Sequence, residues 1–172
     1  MRSKKLLLLC LLCLLVVSSH FHSASAQTTI FVSRHADRLG TEPDPELTPL
    51  GKQQAVALAQ LLIEANIKHI FTTELIRTQQ TASPLAHQIH VTPVIVQQDK
   101  FEDLIAQIKK AEKPNESILV VGHRATVPQI VHALTGKNIE PLGSGEYGRL
   151  LMITLLPDGS SNIVTLRYAP KS

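Results

Sequence analysis

Phe31-Val-Ser-Arg-His-Ala36 and Leu119-Val-Val-Gly-His123 are two apolar runs that each lead straight into a histidine. Strands buried on both faces of a parallel sheet read as continuous apolar runs rather than alternating ones. Open α/β sheets place ligands beyond the carboxyl ends of such strands. The first run therefore delivers Arg34 and His35 to a functional edge, and the second delivers His123 to the same edge.

Outward from these runs, strand and helix signals alternate. A strand over residues 29–33 is followed by Thr48-Pro49, an N-cap with a proline at the first helical position. Ala55, Leu58, Ala59 and Leu62 then recur on one helical face. A short strand at 69–72 precedes a helix over about 74–88, in which Pro84 predicts a break or kink. A third strand at 91–96 contains Pro93 and so belongs near a sheet edge. Phe101, Leu104, Ile105 and Ile108 form an amphipathic face. The strand at 118–121 is the most apolar and is expected in the sheet centre. Val127, Ile130, Val131 and Leu134 mark a fourth helix, stopped by Gly136. Segments 150–155 and 163–168 flank Pro157-Asp-Gly159, a hairpin signal. The fold class expected is α/β: a three-layer α/β/α sandwich on a mostly parallel sheet, with a C-terminal antiparallel hairpin.

The first 26 residues read as a secretory signal peptide. Arg2, Lys4 and Lys5 precede an apolar run over residues 6–17, and Ala24-Ser25-Ala26 is an A-x-A cleavage pattern. That run is shorter than the roughly 20 residues a membrane span needs. The expectation is an exported, periplasmic or secreted protein with no stable membrane anchor after cleavage. The remainder, 27–172, reads as a single catalytic domain. The formal net charge of +3 comes from those three N-terminal cations, leaving 14 basic and 14 acidic residues in the rest. Such balance gives no support to nucleic-acid binding. Both cysteines, Cys10 and Cys13, also lie in the leader, so neither disulfide nor thiol chemistry is expected beyond it.

A third cation comes from the segment Phe71-Thr-Thr-Glu-Leu-Ile-Arg77. A helix starting near Thr73 puts Arg77 at the same edge as Arg34, His35 and His123. Guanidinium forks match phosphate oxygens in bidentate fashion. Neutral imidazole is a nitrogen nucleophile at physiological pH, and neighbouring cations favour the neutral form. The set suits transfer of a phosphoryl group through a phosphohistidine.

These residues resemble the histidine phosphatase superfamily, in its phosphoglycerate-mutase-like branch. Arg34-His35-Ala36 resembles the family's Arg-His-Gly signature, with alanine in the place of glycine. Leu47-Thr-Pro-Leu-Gly51 is similar to its LTxxG helix start. The segment from Thr72 to Ala82 resembles the one bearing its second phosphate-binding arginine. Val120-Val-Gly-His123 resembles the one bearing its second histidine. The resemblance implies a metal-independent phosphatase with no cofactor. In it His35 is the phospho-accepting nucleophile, and Arg34, Arg77 and His123 grip the substrate's phosphoryl oxygens. The partner expected is a small phosphorylated substrate or a phosphoprotein.

Two further readings stand beside it. A non-catalytic phosphate- or phosphosugar-binding module would keep the arginine clamp without turnover. A phosphoglycerate-type mutase would need a lid against water, for which residues 97–100 are too few. No single carboxylate emerges as the leaving-group acid; Asp37, Asp99, Glu102 and Asp103 are the candidates. Arg124 is expected to face solvent, with a substrate contact as the alternative. Tyr147 is expected in the core or at the rim. His69 is expected at a strand end; His87, His90 and His132 are expected on the surface. Specificity is expected from residues 39–45, the Asp99 region and residues 138–147.

Overall fold

The computed structural model describes residues 27–40 and 42–168. The leader, read above as a signal peptide, lies outside the described residues.

Among the described residues, six strands form one mixed sheet, β1 (Thr28–Arg34), β2 (Ile67–Thr72), β3 (Val94–Ile95), β4 (Ser117–Gly122), β5 (Arg149–Leu155) and β6 (Ser161–Arg167), in the order β3-β2-β4-β1-β5-β6. Four helices cover it: α1 (Pro49–Leu62), α2 (Ile76–Gln88), α3 (Phe101–Ala111) and α4 (Thr126–Thr135). β1 to β4 are mutually parallel, while β5 and β6 form an antiparallel hairpin, with β5 antiparallel to β1. The α/β sandwich with its terminal hairpin is the architecture the alternating pattern implies.

Pleating sorts the central strands between two cores. Ile30, Val32, Ile118 and Val120 face α3 and α4, packing with Ile105, Ile108, Ile130 and Val131. Phe31, Leu119 and Val121 face the other way, against Leu58, Leu62, Leu85 and Ala86 of α1 and α2. Burial on both faces explains why β1 and β4 carry apolar residues without alternation.

The helix signals act as expected at α1 and α4. The Thr48 hydroxyl accepts from Gly51 N–H at 2.9 Å, with Pro49 at the first helical position. Gly136 ends α4 at φ 68°, in the left-handed region. Helix α2 reaches Gln88 as expected, and it runs through Pro84 without a break. Leu85 and Ala86, beyond the proline, are buried against the α1 side, and that packing carries the helix past the lost hydrogen bond. β3 shrinks to two residues at the sheet edge, directly after Pro93.

Candidate active site

Parallel pairing builds the site. Arg34 is opposite Gly122 in the β1–β4 register, so His35 and His123 are the next residues out on adjacent strands. The His35 N–H donates to Gly122 O at 2.9 Å, extending the ladder one step past the strand. The two imidazole centroids lie 5.5 Å apart at an interplanar angle of 59°. β2 ends beside β4, and Arg77 follows in the first turn of α2. The N-termini of α2 and α4 both open near this edge, and each contributes partial positive charge.

Arg34 is buried and heavily held. Its Nη1 donates to the carbonyls of Gly143, Ser144 and Glu146 at 3.2, 2.8 and 3.2 Å. Its Nη2 reaches the Tyr147 hydroxyl at 3.3 Å, and its guanidinium lies 4.1 Å from the centroid of the Tyr147 ring. Arg77 is held more lightly. Its Nη1 donates to Pro43 O at 3.4 Å and lies 3.5 Å from an Asp44 oxygen. In both arginines the Nε–H is buried without a partner among the described residues. Each guanidinium thus spends Nη1 on the protein and keeps an unsatisfied buried donor, a costly arrangement unless an acceptor arrives.

His35 donates from Nδ1 to its neighbour's carbonyl, Ala36 O, at 2.8 Å. A carbonyl only accepts, so in the neutral ring the proton is on Nδ1 and the lone pair on Nε2. Burial, followed by the positive charge of Arg34, pushes the His35 pKa down to about 3. Burial, then Arg77 and Arg34, pushes His123 down to about 4. Both rings are therefore neutral at neutral pH, and either can act as a base or nucleophile.

The alanine at position 36 has a simple setting. Its φ is not positive, so no glycine is required there. It is fully buried in a small cluster with Leu47 and Ala55, and its N–H donates to Thr81 Oγ1 at 2.9 Å. Gly51 is different: a Cβ there would sit 2.0 Å from Asp37 O. Close approach of the two backbones explains the glycine of Leu47-Thr-Pro-Leu-Gly51.

The four candidate carboxylates are bonded elsewhere or exposed. Asp37 is committed to α1, accepting from the Thr48 hydroxyl at 2.8 Å and, through its carbonyl, from Thr48 N–H at 3.1 Å. Glu102 and Asp103 are exposed in the first turn of α3, where negative charge suits the helix dipole. Asp99 is exposed. Arg124 is exposed as expected, although its charge reaches Arg34. His87, His90 and His132 are exposed, and His69 lies within β2 at half-burial.

Tyr147 is buried as expected, and it packs against Arg34 with its ring centroid 6.0 Å from that of His35, so it also lines the site. Two contributors were not singled out from sequence. Asp44 pairs with Arg77 and also accepts from Ile76 N–H at 2.9 Å, capping α2 from a distant loop. Thr73 lies 3.1 Å from His123 Nε2 through its hydroxyl. Only the Thr73 position, at the end of an apolar strand, carried a usable signal in sequence. Glu146, though unrelated to the chemistry, shapes the turn that grips Arg34. Desolvation would raise its carboxyl, yet hydrogen bonds from Gly143 N–H, Arg167 and Arg149 pull it down to about 2.

A model of the histidine phosphatase superfamily (branch 1) matches residues 26–102, the stretch holding Arg34, His35 and Arg77. A segment of 55 residues is 47% identical to the PE-PGRS family protein PE_PGRS11 of Mycobacterium tuberculosis, covering 31% of this chain and 9% of that protein. The chain thus spans only a small part of that relative. Among solved structures, the protein histidine phosphatase SixA complexed with tungstate superposes with TM-score 0.65 at 17% identity, over 81% of this chain and 97% of the other. A mycobacterial glucosyl-3-phosphoglycerate phosphatase superposes with TM-score 0.64 at 14% identity, over 83% and 100%. At these identities the likeness is one of fold.

Proposed function

We propose that the protein is a metal-independent phosphatase that hydrolyses a phosphomonoester or phosphohistidine through a covalent phosphohistidine on His35. The observation that carries this reading is the pair of buried, unpartnered Nε–H donors on Arg34 and Arg77, beside two neutral imidazoles. A phosphoryl group supplies oxygens to both forks and an electrophilic phosphorus to the free lone pair of His35 Nε2. In the first step Nε2 attacks phosphorus and the bond to the leaving oxygen breaks. In the second, water attacks phosphorus, the P–N bond breaks and inorganic phosphate leaves.

The superfamily match supports this reading, as do fold neighbours described as phosphatases, one of them holding a tetrahedral oxyanion. The leader composition supports export, so the working enzyme would be periplasmic or secreted. Incubation with an aryl phosphate is expected to release phosphate and to trap an acid-labile phosphoenzyme, both lost in His35→Ala. Absence of turnover and of phosphoenzyme in the wild type, with phosphate still bound, would instead favour the binding module.

A further inference from the structure

The hydrogen bonds around His123 settle which of its nitrogens carries the proton. The Thr78 hydroxyl reaches two carbonyls, Leu75 O at 2.8 Å and Thr73 O at 3.1 Å, and a carbonyl only accepts, so the Thr78 hydroxyl hydrogen is used on them. Thr78 Oγ1 then accepts twice, from Thr73 N–H at 3.1 Å and from the Thr73 hydroxyl at 3.0 Å. The single Thr73 hydroxyl hydrogen is thereby used. Thr73 Oγ1 in turn accepts from Leu75 N–H at 3.3 Å, and its remaining contact is His123 Nε2 at 3.1 Å. A hydroxyl has one hydrogen and two lone pairs, so the arrangement that satisfies every one of these contacts makes His123 Nε2 the donor. The neutral ring is held as the Nε2–H tautomer, with its lone pair on Nδ1.

Both neutral imidazoles therefore carry a bare nitrogen: Nε2 of His35 and Nδ1 of His123. On the phosphatase reading the first attacks phosphorus. A bare Nδ1 meeting an electron-rich phosphoryl oxygen would oppose it lone pair to lone pair unless a proton lay between them. The groups acting on His123 are Arg34 and His35 from β1, Arg77 from α2, and Asp44 from the loop before α1. The cations oppose protonation and Asp44 favours it. A bound phosphoryl group adds negative charge against the cations and draws the proton in. Of the four candidate carboxylates, Asp37 accepts from the Thr48 hydroxyl, and Asp99, Glu102 and Asp103 are exposed.

We infer that His123 is the proton donor of the reaction: held through Nε2–H by Thr73, it takes up a proton on Nδ1 with the substrate and passes it to the leaving oxygen. The chemistry rests on the phosphatase reading. As His35 Nε2 bonds to phosphorus, the P–O bond breaks and the leaving oxygen receives the Nδ1 proton. Water then attacks the phosphohistidine, Nδ1 takes a proton from it, and the P–N bond breaks. His123 ends the cycle protonated, and releases that proton with the phosphate or carries it into the next turnover. Thr73 is a positioning residue, and Thr78 fixes its hydroxyl.

Nitrogen-15 NMR of histidine-labelled protein tests the proton placement directly, with His123→Gln identifying the signal. The free protein at pH 7 is expected to show His123 protonated on Nε2 alone, and saturating inorganic phosphate to protonate both nitrogens. A Nδ1–H tautomer in the free protein, or a neutral ring with phosphate bound, would overturn the inference even if no turnover is ever found. Thr73→Val is expected to mix the tautomers and Thr73→Ser to preserve Nε2–H. Kinetics supply the second arm. His123→Gln should lose about 10²–10⁴-fold on an alkyl phosphate, whose leaving oxygen needs a proton, and far less on p-nitrophenyl phosphate. Equal losses on both esters would reduce His123 to an electrostatic clamp. Failure of the wild type on both would strike the phosphatase reading instead, with the NMR result still deciding where the proton sits.

Discussion

The two arginines of the site do the same job under different restraint. Arg34 is fastened by three carbonyls and an aromatic face, all from residues 143–147. That turn is itself pinned by Glu146, whose carboxylate takes charged hydrogen bonds from Arg149 and Arg167, each at 2.8 Å. Arg77 has one long carbonyl contact and one ion pair, with Asp44, whose side chain is 43% exposed. One wall of the site is built in advance, and the other rests on a surface loop. Preorganised charge stabilises a transition state without reorganisation during the reaction, so under the proposed function the β1 wall is the one suited to the reacting phosphoryl group. The α2 wall is tied to the exposed Pro43 and Asp44.

Variants can break or sharpen this contrast. The largest effect is expected from His35→Ala, which removes the nitrogen proposed to attack phosphorus; phosphate release should fall to background. Next, Arg34→Ala and Arg77→Ala should each lower kcat/KM by about 10²–10³-fold. Only Arg34→Ala should also lower the urea midpoint, because it strands three carbonyls that now accept from Nη1. Equal destabilisation by the two variants would erase the distinction between the walls.

A third expectation concerns pH. His35 and His123 are held near 3 and 4 in the fold, against about 6.5 in an unfolded chain. Between those values the unfolded chain binds more protons, so stability is intact above about pH 6.5 and falls as pH drops toward 4. Urea midpoints measured from pH 7 to 4.5 should fall more shallowly in His35→Gln. A wild-type midpoint constant over that range would contradict the burial of the rings. The smallest effect is expected from Asp44→Asn. Exposed ion pairs contribute about 1 kcal/mol or less, so phosphate affinity should change by less than about fivefold. A larger change would mean that the loop wall is as firmly built as the other.

Much of this architecture was legible because its signals are local. Apolar runs betrayed β1 and β4, Thr48-Pro49 marked the start of α1, and Gly136 the end of α4. The histidines could be placed because each follows a buried strand directly, and strand ends share an edge in a parallel sheet. At Pro84 the extent of the helix was legible, but the break that the proline allows is absent, with Leu85 and Ala86 buried just beyond it. Tyr147 gave no signal, since nothing in its neighbourhood announces contact with a residue 113 positions earlier.

What the chain determines by itself is the set of elements and the residues at their ends, because hydrophobic periodicity, capping and turn chemistry act over a few residues. Tertiary structure alone decides which carboxylates are spent on helix caps and ion pairs, which turn grips Arg34, and which nitrogen of His123 holds the proton. Those outcomes depend on hydrogen-bond partners brought together from 11 to 113 positions apart. A donor or acceptor acquires its role only once the folded chain has settled what faces it.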